Sequence, residues 1–208
     1  FVANNIITTN GAITNEAPPG GSATNNGSYG VNIDIDNITT TIIPWNSTWK
    51  FSDSGYAPGA GTWMNPGYAD GGWISATAGL PAALQRDIGY GDGDEVTPYI
   101  YAGCGVRPAI QLPLCATKYW TTYFRQQVNI PSVAAYGGFR INLHRDDGAV
   151  VYVNGTEVAR SNMPAGAVIY TTPASAAVDG ATEDVTINIG TGAFINGINT
   201  IAVEIHQV

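Results

Sequence analysis

The fold is decided by the stretch Leu143-His-Arg-Asp-Asp-Gly-Ala-Val-Val-Tyr-Val-Asn-Gly155. It predicts a tight turn at Asp146-Asp147-Gly148, because Asp and Gly are the residues that turns favour. A β-branched and aromatic run follows and ends at Asn154-Gly155, the strongest short-range signal for a two-residue hairpin. We therefore expect a strand, a type I′ turn with both central residues at positive φ, and a partner strand that begins at Val158.

Strand patterns with a period of two recur on both sides of this stretch. Apolar and polar residues alternate at 31–36, 139–143 and 199–205, and β-branched or aromatic residues dominate 119–130 and 185–189. Successive side chains of a strand point to opposite faces, so each alternating segment has one apolar face. Short strands at this spacing, without a helical period between them, indicate an all-β sandwich or barrel.

Length and composition agree with one such domain. The chain has 208 residues, among them Gly 26 and Pro 12, a usage typical of strands joined by turns. The formal net charge of -8 disfavours nucleic acid and anionic membranes as partners. No run of apolar residues is long enough to span a membrane, so no membrane insertion is expected.

Residues 1–30 differ from the rest and predict an N-terminal arm that precedes a sandwich domain at 31–208. The arm carries no charged side chain before Glu16. Its aliphatic residues make it too apolar for a solvated linker and suit a half-buried strand. The candidate strand residues are Val2, Ile6, Ile7 and Ile13.

Several motifs resemble a known module in the order in which they occur. They are 89–95 (Gly-Tyr-Gly-Asp-Gly-Asp-Glu), 119–125 (Tyr-Trp-Thr-Thr-Tyr-Phe-Arg), 143–155, 157–164 and 199–207 (Asn-Thr-Ile-Ala-Val-Glu-Ile-His-Gln). Together they resemble the non-catalytic jelly-roll or galactose-binding-like β-sandwich appended to secreted bacterial metallophosphoesterases and to lamin-tail or adhesin-like surface proteins. The resemblance covers about Trp49 to Gln207 and implies an extracellular or cell-surface location.

The sequence departs from this module in a way that suggests self-assembly. The further strand that follows the His-Gln motif is absent, because the sequence stops at Val208, while an apolar arm is added at the N-terminus. A sandwich that lacks a strand exposes an unpaired edge, which a strand from the same or a neighbouring copy can fill. The first hypothesis is therefore a structural or adhesive subunit of a surface or filamentous assembly, whose partners are copies of itself.

The two cysteines, Cys104 and Cys115, lie in a segment rich in Gly and Pro. A metal or redox pair is one interpretation, but the spacing is not C-x-x-C and no histidine is near. A disulfide that closes the loop is the favoured prediction, and such bridges persist in oxidising extracellular compartments.

Calcium is the one cofactor that the sequence suggests, since it prefers hard oxygen ligands. One candidate cluster is Asp92, Asp94 and Glu95, and the other is Asp146 with Asp147. The alternative is ordinary turn chemistry, in which Asp side chains accept backbone N–H groups. Turn chemistry is favoured for the second cluster, and both interpretations stay open for the first.

The second functional hypothesis is a carbohydrate-binding module of a secreted hydrolase or adhesin, with a polysaccharide as partner. Its candidate contact residues are aromatic side chains in predicted loops, which suit the apolar faces of sugars. They are Tyr56, Trp63, Tyr68 and Trp73. The alternative role of these rings is to cap the sandwich core.

Catalysis is not expected. The only histidines, His144 and His206, lie in strand patterns without a recognisable Ser or Cys nucleophile elbow. Two separate histidines and two cysteines predicted to be bridged do not supply the four ligands of a zinc site. We therefore predict that the chain is not an enzyme.

Overall fold

The computed structural model describes residues 2–14, 34–44, 47–77, 88–89, 97–98, 119–178 and 184–208. This part of the chain is built from strands and short 3-10 turns. The strands are β1 (Val2–Thr14), β2 (Asp34–Thr41), β3 (Thr48–Ser52), β4 (Ile74–Thr77), β5 (Ile88–Gly89), β6 (Thr97–Pro98), β7 (Thr121–Ile130), β8 (Phe139–His144), β9 (Gly148–Val153), β10 (Thr156–Ser161), β11 (Asp184–Ile189) and β12 (Gly197–His206). In these ranges, no helix has the length and apolar character needed to cross a membrane.

Two sheets contain most of these strands. The larger sheet has six strands in the order β10-β9-β12-β7-β3-β4, and the smaller has four in the order β11-β8-β1-β2. Neighbouring strands in these two sheets are antiparallel, whereas β5 and β6 form a short parallel pair. The predicted all-β sandwich is confirmed.

The core lies between the inner faces of the two sheets. On β8, Phe139, Ile141 and Leu143 are buried, whereas Arg140 and Asn142 are partly exposed on the opposite face. This is the alternation that the period of two predicts. Other core members are Trp49, Phe51, Phe124, Val151, Val153, Ile201, Val203 and Ile205.

The central strands of the six-stranded sheet are buried on both faces. Strand β9 is buried at every position, including the outward-facing Val150 and Tyr152. The loops 53–73 and 162–178 cover this outer face and contribute Trp63, with Met163 and Tyr170 at the margin. A third layer therefore lies over one sheet of the sandwich.

The hairpin between β9 and β10 turns where the sequence predicts. Asn154 has φ of 52° and Gly155 has φ of 87°, which confirms positive φ at both central residues. Thr156 pairs with Val153, so the partner strand begins two residues before the predicted Val158. The Asn154 side chain also bonds to Asn199, with 2.8 Å between Nδ2 and Oδ1. The turn is thus tied to β12 as well as closed locally.

Strand β1 belongs to the four-stranded sheet of its own chain. Residues 2–8 pair with β8, and residues 7–14 pair with β2. Among the predicted assembly residues, Val2 lies opposite His144, Ile6 opposite Ile141, Ile7 opposite Arg140 and Thr41, and Ile13 opposite Ile35. The first half of the predicted arm is therefore part of the sandwich.

The predicted loop that carries Tyr56, Trp63, Tyr68 and Trp73 lies between two short strands. Residues 53–73 are irregular, but β3 and β4 flank them and pair with each other. Trp49 and Phe51 on β3 are 1% and 0% exposed and belong to the core. Their alternation with Thr48 and Lys50 is a strand signal that the density of aromatic and turn residues obscures.

Candidate functional site

Trp63 is the central side chain of the loop 53–73. It is 3% exposed, and its ring centroid lies 4.8 Å from Tyr123 and 5.5 Å from Tyr152 in edge-to-face geometry. Aromatic pairs in this arrangement stabilise a fold beyond the area that they bury. The predicted glycan contact at Trp63 is therefore corrected, because this ring anchors the loop to the sheet and is not accessible.

The other three predicted glycan residues differ in exposure. Tyr68 and Trp73 are partly buried, and their ring centroids lie 5.8 Å apart. The guanidinium of Arg125 lies 5.3 Å from the centroid of the Tyr68 ring, within the range of a cation–π contact. Tyr56 is 64% exposed. Of the four predicted residues, Tyr56 is the one with a fully available ring.

A charged cluster fastens the same loop. The buried Arg125 donates through Nε to Asp70 Oδ2 at 2.9 Å, and Lys50 Nζ donates to Asp70 Oδ1 at 2.7 Å. Arg125 also donates to the carbonyls of Trp63 and Asn65. Burial alone would raise the pKa of Asp70, but the hydrogen bonds from Lys50 and Arg125 outweigh it and hold that pKa below its ordinary value. These charges are satisfied within the protein.

A second polar chain is buried on the same face. Tyr152 Oη donates to Glu204 Oε1 at 2.6 Å, and Glu204 Oε2 lies 3.4 Å from His206 Nε2. His206 Nδ1 lies 2.8 Å from the Thr172 carbonyl and 3.0 Å from Thr121 Oγ1. A carbonyl only accepts hydrogen bonds, so Nδ1 carries a proton. The chain therefore holds the loop at Thr172 against the sheet.

Thr121, His206 and Glu204 place a hydroxyl, an imidazole and a carboxylate in the order of a hydrolase triad, but all three side chains are buried. Thr121 is 1% exposed, Glu204 is 4% exposed and His206 is 0% exposed. The Thr121 hydroxyl donates to the Tyr170 carbonyl. Burial, followed by the negative charge of Glu204, raises the pKa of Tyr152 far above its ordinary value. In this conformation the three groups are buried beneath the loop at Thr172.

The Asp147 carboxylate accepts backbone N–H groups from distant segments of the chain, which is a tertiary role rather than the local turn chemistry weighed against calcium. Its two carboxylate oxygens accept the backbone N–H groups of Val178 and Val208 at 2.8 and 2.9 Å. Its carbonyl accepts from Arg145 Nη1 at 2.6 Å and from Asn162 Nδ2 at 3.1 Å. The side chain thus joins three separate segments of the chain.

Asp146 adjoins the same junction, where its backbone carbonyl accepts from Gln207 Nε2 at 2.6 Å. In the described ranges, no group of three or more His, Cys, Asp or Glu side chains is placed to hold a metal ion. The other predicted calcium ligands, Asp92, Asp94 and Glu95, lie outside the described residues, as do Cys104 and Cys115. Calcium binding and the disulfide stay predictions.

Two exposed aromatic rings lie at one end of the six-stranded sheet. Tyr56 is 64% exposed and Trp120 is 45% exposed. The Tyr119 ring packs on the backbone of Gly55, where an added Cβ would meet it at 2.9 Å. Tyr56 follows Gly55 and Trp120 follows Tyr119, so the backbones that carry the two exposed rings meet at this end of the sheet, which we call the aromatic end.

A cleft lies at the opposite end of the sandwich, on the four-stranded sheet. It encloses about 320 Å³ where β8 begins and β11 ends. Its lining includes the side chains of Arg140 and Asn188, which lie opposite each other in the strand register. Gly137, Gly138 and Gly190 also line it. A volume of this size suits a small ligand.

Sequence reasoning missed two side chains, Trp120 and Arg140. A signal was available for Arg140, because the buried alternation of Phe139 and Ile141 necessarily places Arg140 on the outer face. None was available for Trp120, which immediately precedes β7, where nearly every neighbouring residue is buried. Exposure at a strand end depends on which loops pack there.

No family model matches this chain, and no curated protein matches it. Solved structures with a similar fold include β-glucuronidase from Ruminococcus gnavus in complex with D-glucuronic acid, at 12% identity and a TM-score of 0.42. That match covers 78% of this chain and 21% of the other. β-Glucuronidase from Bifidobacterium dentium complexed with coumarin-3-O-glucuronide has a TM-score of 0.40, with 13% identity over 79% of this chain and 20% of the other. The chain thus spans about a fifth of these proteins, and at these TM-scores the likeness supports no inference about activity.

Proposed function

We propose that this chain is a non-catalytic, extracellular carbohydrate-binding module that holds a glycan at its aromatic end. The observation that carries the proposal is the joint exposure of Tyr56 and Trp120, 64% and 45%. In the described part of the chain, the other tryptophans are buried or partly buried. Two exposed rings at one end of the sheet offer flat apolar faces with a polar edge, which suits the alternating apolar and hydroxyl faces of sugars.

The position of β1 favours this function over strand exchange. An arm that pairs with a neighbouring copy was the basis of the assembly hypothesis, but β1 pairs with β8 and β2 of its own chain. The position between β8 and β2 is therefore occupied by a strand of the same chain, and no donor strand from another molecule is needed. A sandwich whose strands all come from one chain is the form expected of a module that acts as a monomer.

The non-catalytic part of the proposal is supported by the burial of the polar groups most suited to chemistry. Glu204 and His206 are enclosed by the loop at Thr172, and the Thr121 hydroxyl is bonded to a backbone carbonyl. His144 bonds to Asp184, with 2.9 Å between Nδ1 and Oδ1. Both histidines are thus hydrogen-bonded within the fold.

The test is a glycan array followed by calorimetry, run with and without calcium. Trp120→Ala and Tyr56→Ala should each weaken binding to a glycan found on the array, and the double variant should lose about tenfold or more, equal to about 1.4 kcal/mol. The matched control is Ile198→Ala, which removes a side chain that is 56% exposed on β12 near the opposite end of the sandwich. It should bind as the unmodified chain does.

Two outcomes would refute this function. One is an array without hits in either calcium condition. The other is a double variant that binds its glycan with unchanged affinity. Because both rings are exposed, we expect the variants to keep the melting temperature of the parent, so a loss of binding is separable from unfolding.

Self-association remains the second candidate, and one observation favours it. The pairing of β1 with β2 continues from Thr9 to Thr14, beyond Thr8, the last residue of β1 paired with β8. An edge that extends past its neighbour is a place where another copy can add a strand. Light scattering after size-exclusion chromatography tests this: monomers at all concentrations would exclude it, and discrete oligomers would support it.

A further inference from the structure

We infer that the cleft at Arg140 is a second binding site, which takes the anionic substituent of an acidic saccharide. Its position follows from the strand register of the four-stranded sheet. Arg140, Asn142 and His144 share the outer face of β8 and lie opposite Asn188, Thr186 and Asp184 of β11. These six residues form three cross-strand pairs, which we call the polar row.

Two pairs of the row are satisfied internally. His144 Nδ1 and Asp184 Oδ1 lie 2.9 Å apart, and the Thr186 hydroxyl donates to Asn142 Oδ1 at 3.0 Å. The third pair is Arg140 with Asn188, and it lines the cleft. No hydrogen bond or ion pair joins its two side chains in the described structure.

Arg140 also differs from the other described basic side chains. Lys50 and Arg125 bond to Asp70, Arg160 bonds to Glu157, and Arg145 bonds to Ser161 and to a carbonyl. Arg140 has no such acceptor in the described chain, and its Nε is buried without a hydrogen-bond partner. A buried donor without an acceptor is unfavourable, and a bound ligand that draws the guanidinium toward it relieves this cost.

The chemistry of the pair indicates the ligand. A guanidinium binds a carboxylate or sulfate through two parallel hydrogen bonds, and it does so most strongly where water is partly excluded. The Asn188 amide beside it both donates and accepts, as vicinal hydroxyl groups require. The net charge of the chain is -8, but the acid of the polar row, Asp184, is paired with His144 and lies four residues along β11 from Asn188, about 13 Å at about 3.3 Å per residue.

A saccharide is favoured over a peptide by what surrounds the cleft. The polar row continues from it with amide, hydroxyl and imidazole groups on the exposed sheet face, and the outward residues Thr186 and Asn188 are exposed. Peptide sites combine a sheet edge with apolar side-chain pockets, whereas the six side chains of the polar row are all polar; on the β1 side, Ile7 lies opposite Arg140 in the strand register. A polyhydroxylated chain with an anionic substituent matches the row better.

The experiment uses the full chain and a galacturonic acid oligosaccharide as the probe, followed by calorimetry and NMR shift mapping. Arg140→Gln should reduce affinity about tenfold or more, Arg140→Lys should give an intermediate loss, and Asn188→Ala should weaken binding less. The methyl ester of the same oligosaccharide should bind at least about tenfold more weakly than the acid. A sulfated oligosaccharide of equal length distinguishes a general anion site from a carboxylate site, and binding of either acid supports the inference.

The inference extends saccharide binding to a second site and does not require the first. The matched control is Ile169→Ala, which removes a side chain that is 64% exposed in the loop 162–178 over the other sheet, and it should leave the affinity for the acidic probe unchanged. Equal binding by Arg140→Gln and the parent, equal binding of ester and acid, or tighter binding of an acidic peptide would each overturn it. Arg140 is partly exposed, and Arg140→Lys keeps the aliphatic part of the side chain and its charge. If Arg140→Gln fails to fold, Arg140→Lys still tests the site.

Discussion

The outer faces of the two sheets differ in how far their polar side chains are covered by loops. On the six-stranded sheet, Arg125 is 2% exposed, Glu204 is 4% exposed and His206 is 0% exposed, because loops lie over them. On the four-stranded sheet, Arg140 is partly exposed and Asn188 is exposed beside an open cleft. Both faces carry polar side chains at alternate strand positions. The covering loops decide which of these groups stabilise the fold and which are available to a ligand.

The difference also explains where buried charge is tolerated. Burying an ion is costly unless it is paired and hydrogen-bonded. Arg125 meets this condition through Asp70 and two carbonyls, and Glu204 meets it through Tyr152 and His206. The buried charges of Arg125 and Glu204 on the covered face are thus hydrogen-bonded, and disturbing them should affect stability before it affects binding.

The largest effect is expected from removing residues 1–15. This deletion takes β1 from the four-stranded sheet and leaves β8 and β2 without the strand between them. We expect the loss of most of the folding free energy, which is about 5–15 kcal/mol for an ordinary domain. Urea unfolding measures it, and a synthetic peptide of residues 1–15 added in trans should restore stability. A deletion variant that melts like the parent would show that β1 does not complete the sheet.

The next effect contrasts a covered ring with an open one. Trp63→Ala removes a ring that is 3% exposed and should cost about 3–5 kcal/mol, because it leaves a cavity between the loop and the sheet. Trp120→Ala removes a ring that is 45% exposed and should cost less than about 0.5 kcal/mol. Similar losses in the two variants would contradict the distinction between the covered face and the aromatic end.

A smaller effect concerns the hairpin that contacts the covering loop. Gly155→Val should cost about 2–3 kcal/mol: a left-handed φ costs about 1–2 kcal/mol, and the new Cβ would lie 2.3 Å from Asn65 Oδ1, so that side chain must move. Gly166→Val is the matched control, since Gly166 has φ of 93° but no neighbouring atom within 4 Å of an added Cβ. The control should cost about 1–2 kcal/mol. If the two glycine variants melt alike, the contact with Asn65 contributes nothing.

The smallest effect is a pH dependence on the covered face. The pKa of Asp70 is lowered in the folded protein, so its pairing with Lys50 and Arg125 stabilises the fold above the ordinary Asp pKa of about 3.9 and is lost as the pH falls below it. Asp70→Asn should therefore show a weaker decline in unfolding free energy than the parent as the pH falls below the ordinary Asp pKa of about 3.9. Parallel pH profiles for parent and variant would argue against this role for Asp70.

Local patterns predicted the elements of this fold well. The type I′ turn at Asn154-Gly155 requires positive φ at two successive residues, and few dipeptides permit it. The alternating segments 139–143 and 199–205 form β8 and most of β12, and their apolar side chains face the core as predicted. These features depend on backbone sterics and on the period of a strand, which are properties of short segments.

The candidate site was less predictable. Trp63 and Tyr56 are both aromatic residues in one loop rich in glycine, yet their exposures are 3% and 64%. The difference arises because Trp63 meets Tyr123 and Tyr152, which come from strands distant in the sequence. Arg140 was overlooked because its significance depends on facing Asn188, a pairing set by sheet register.

The sequence by itself determined the class of fold, the hairpin and the inward faces of the strands, since each follows from local conformational preference and from the burial of apolar side chains. Only the tertiary structure decided that β1 closes its own sheet, that Asp147 accepts two backbone N–H groups, and that one outer face is covered while the other is open. These outcomes depend on contacts between segments far apart in the chain. The energy of such contacts exists only once the sheets have assembled, so no local pattern encodes it.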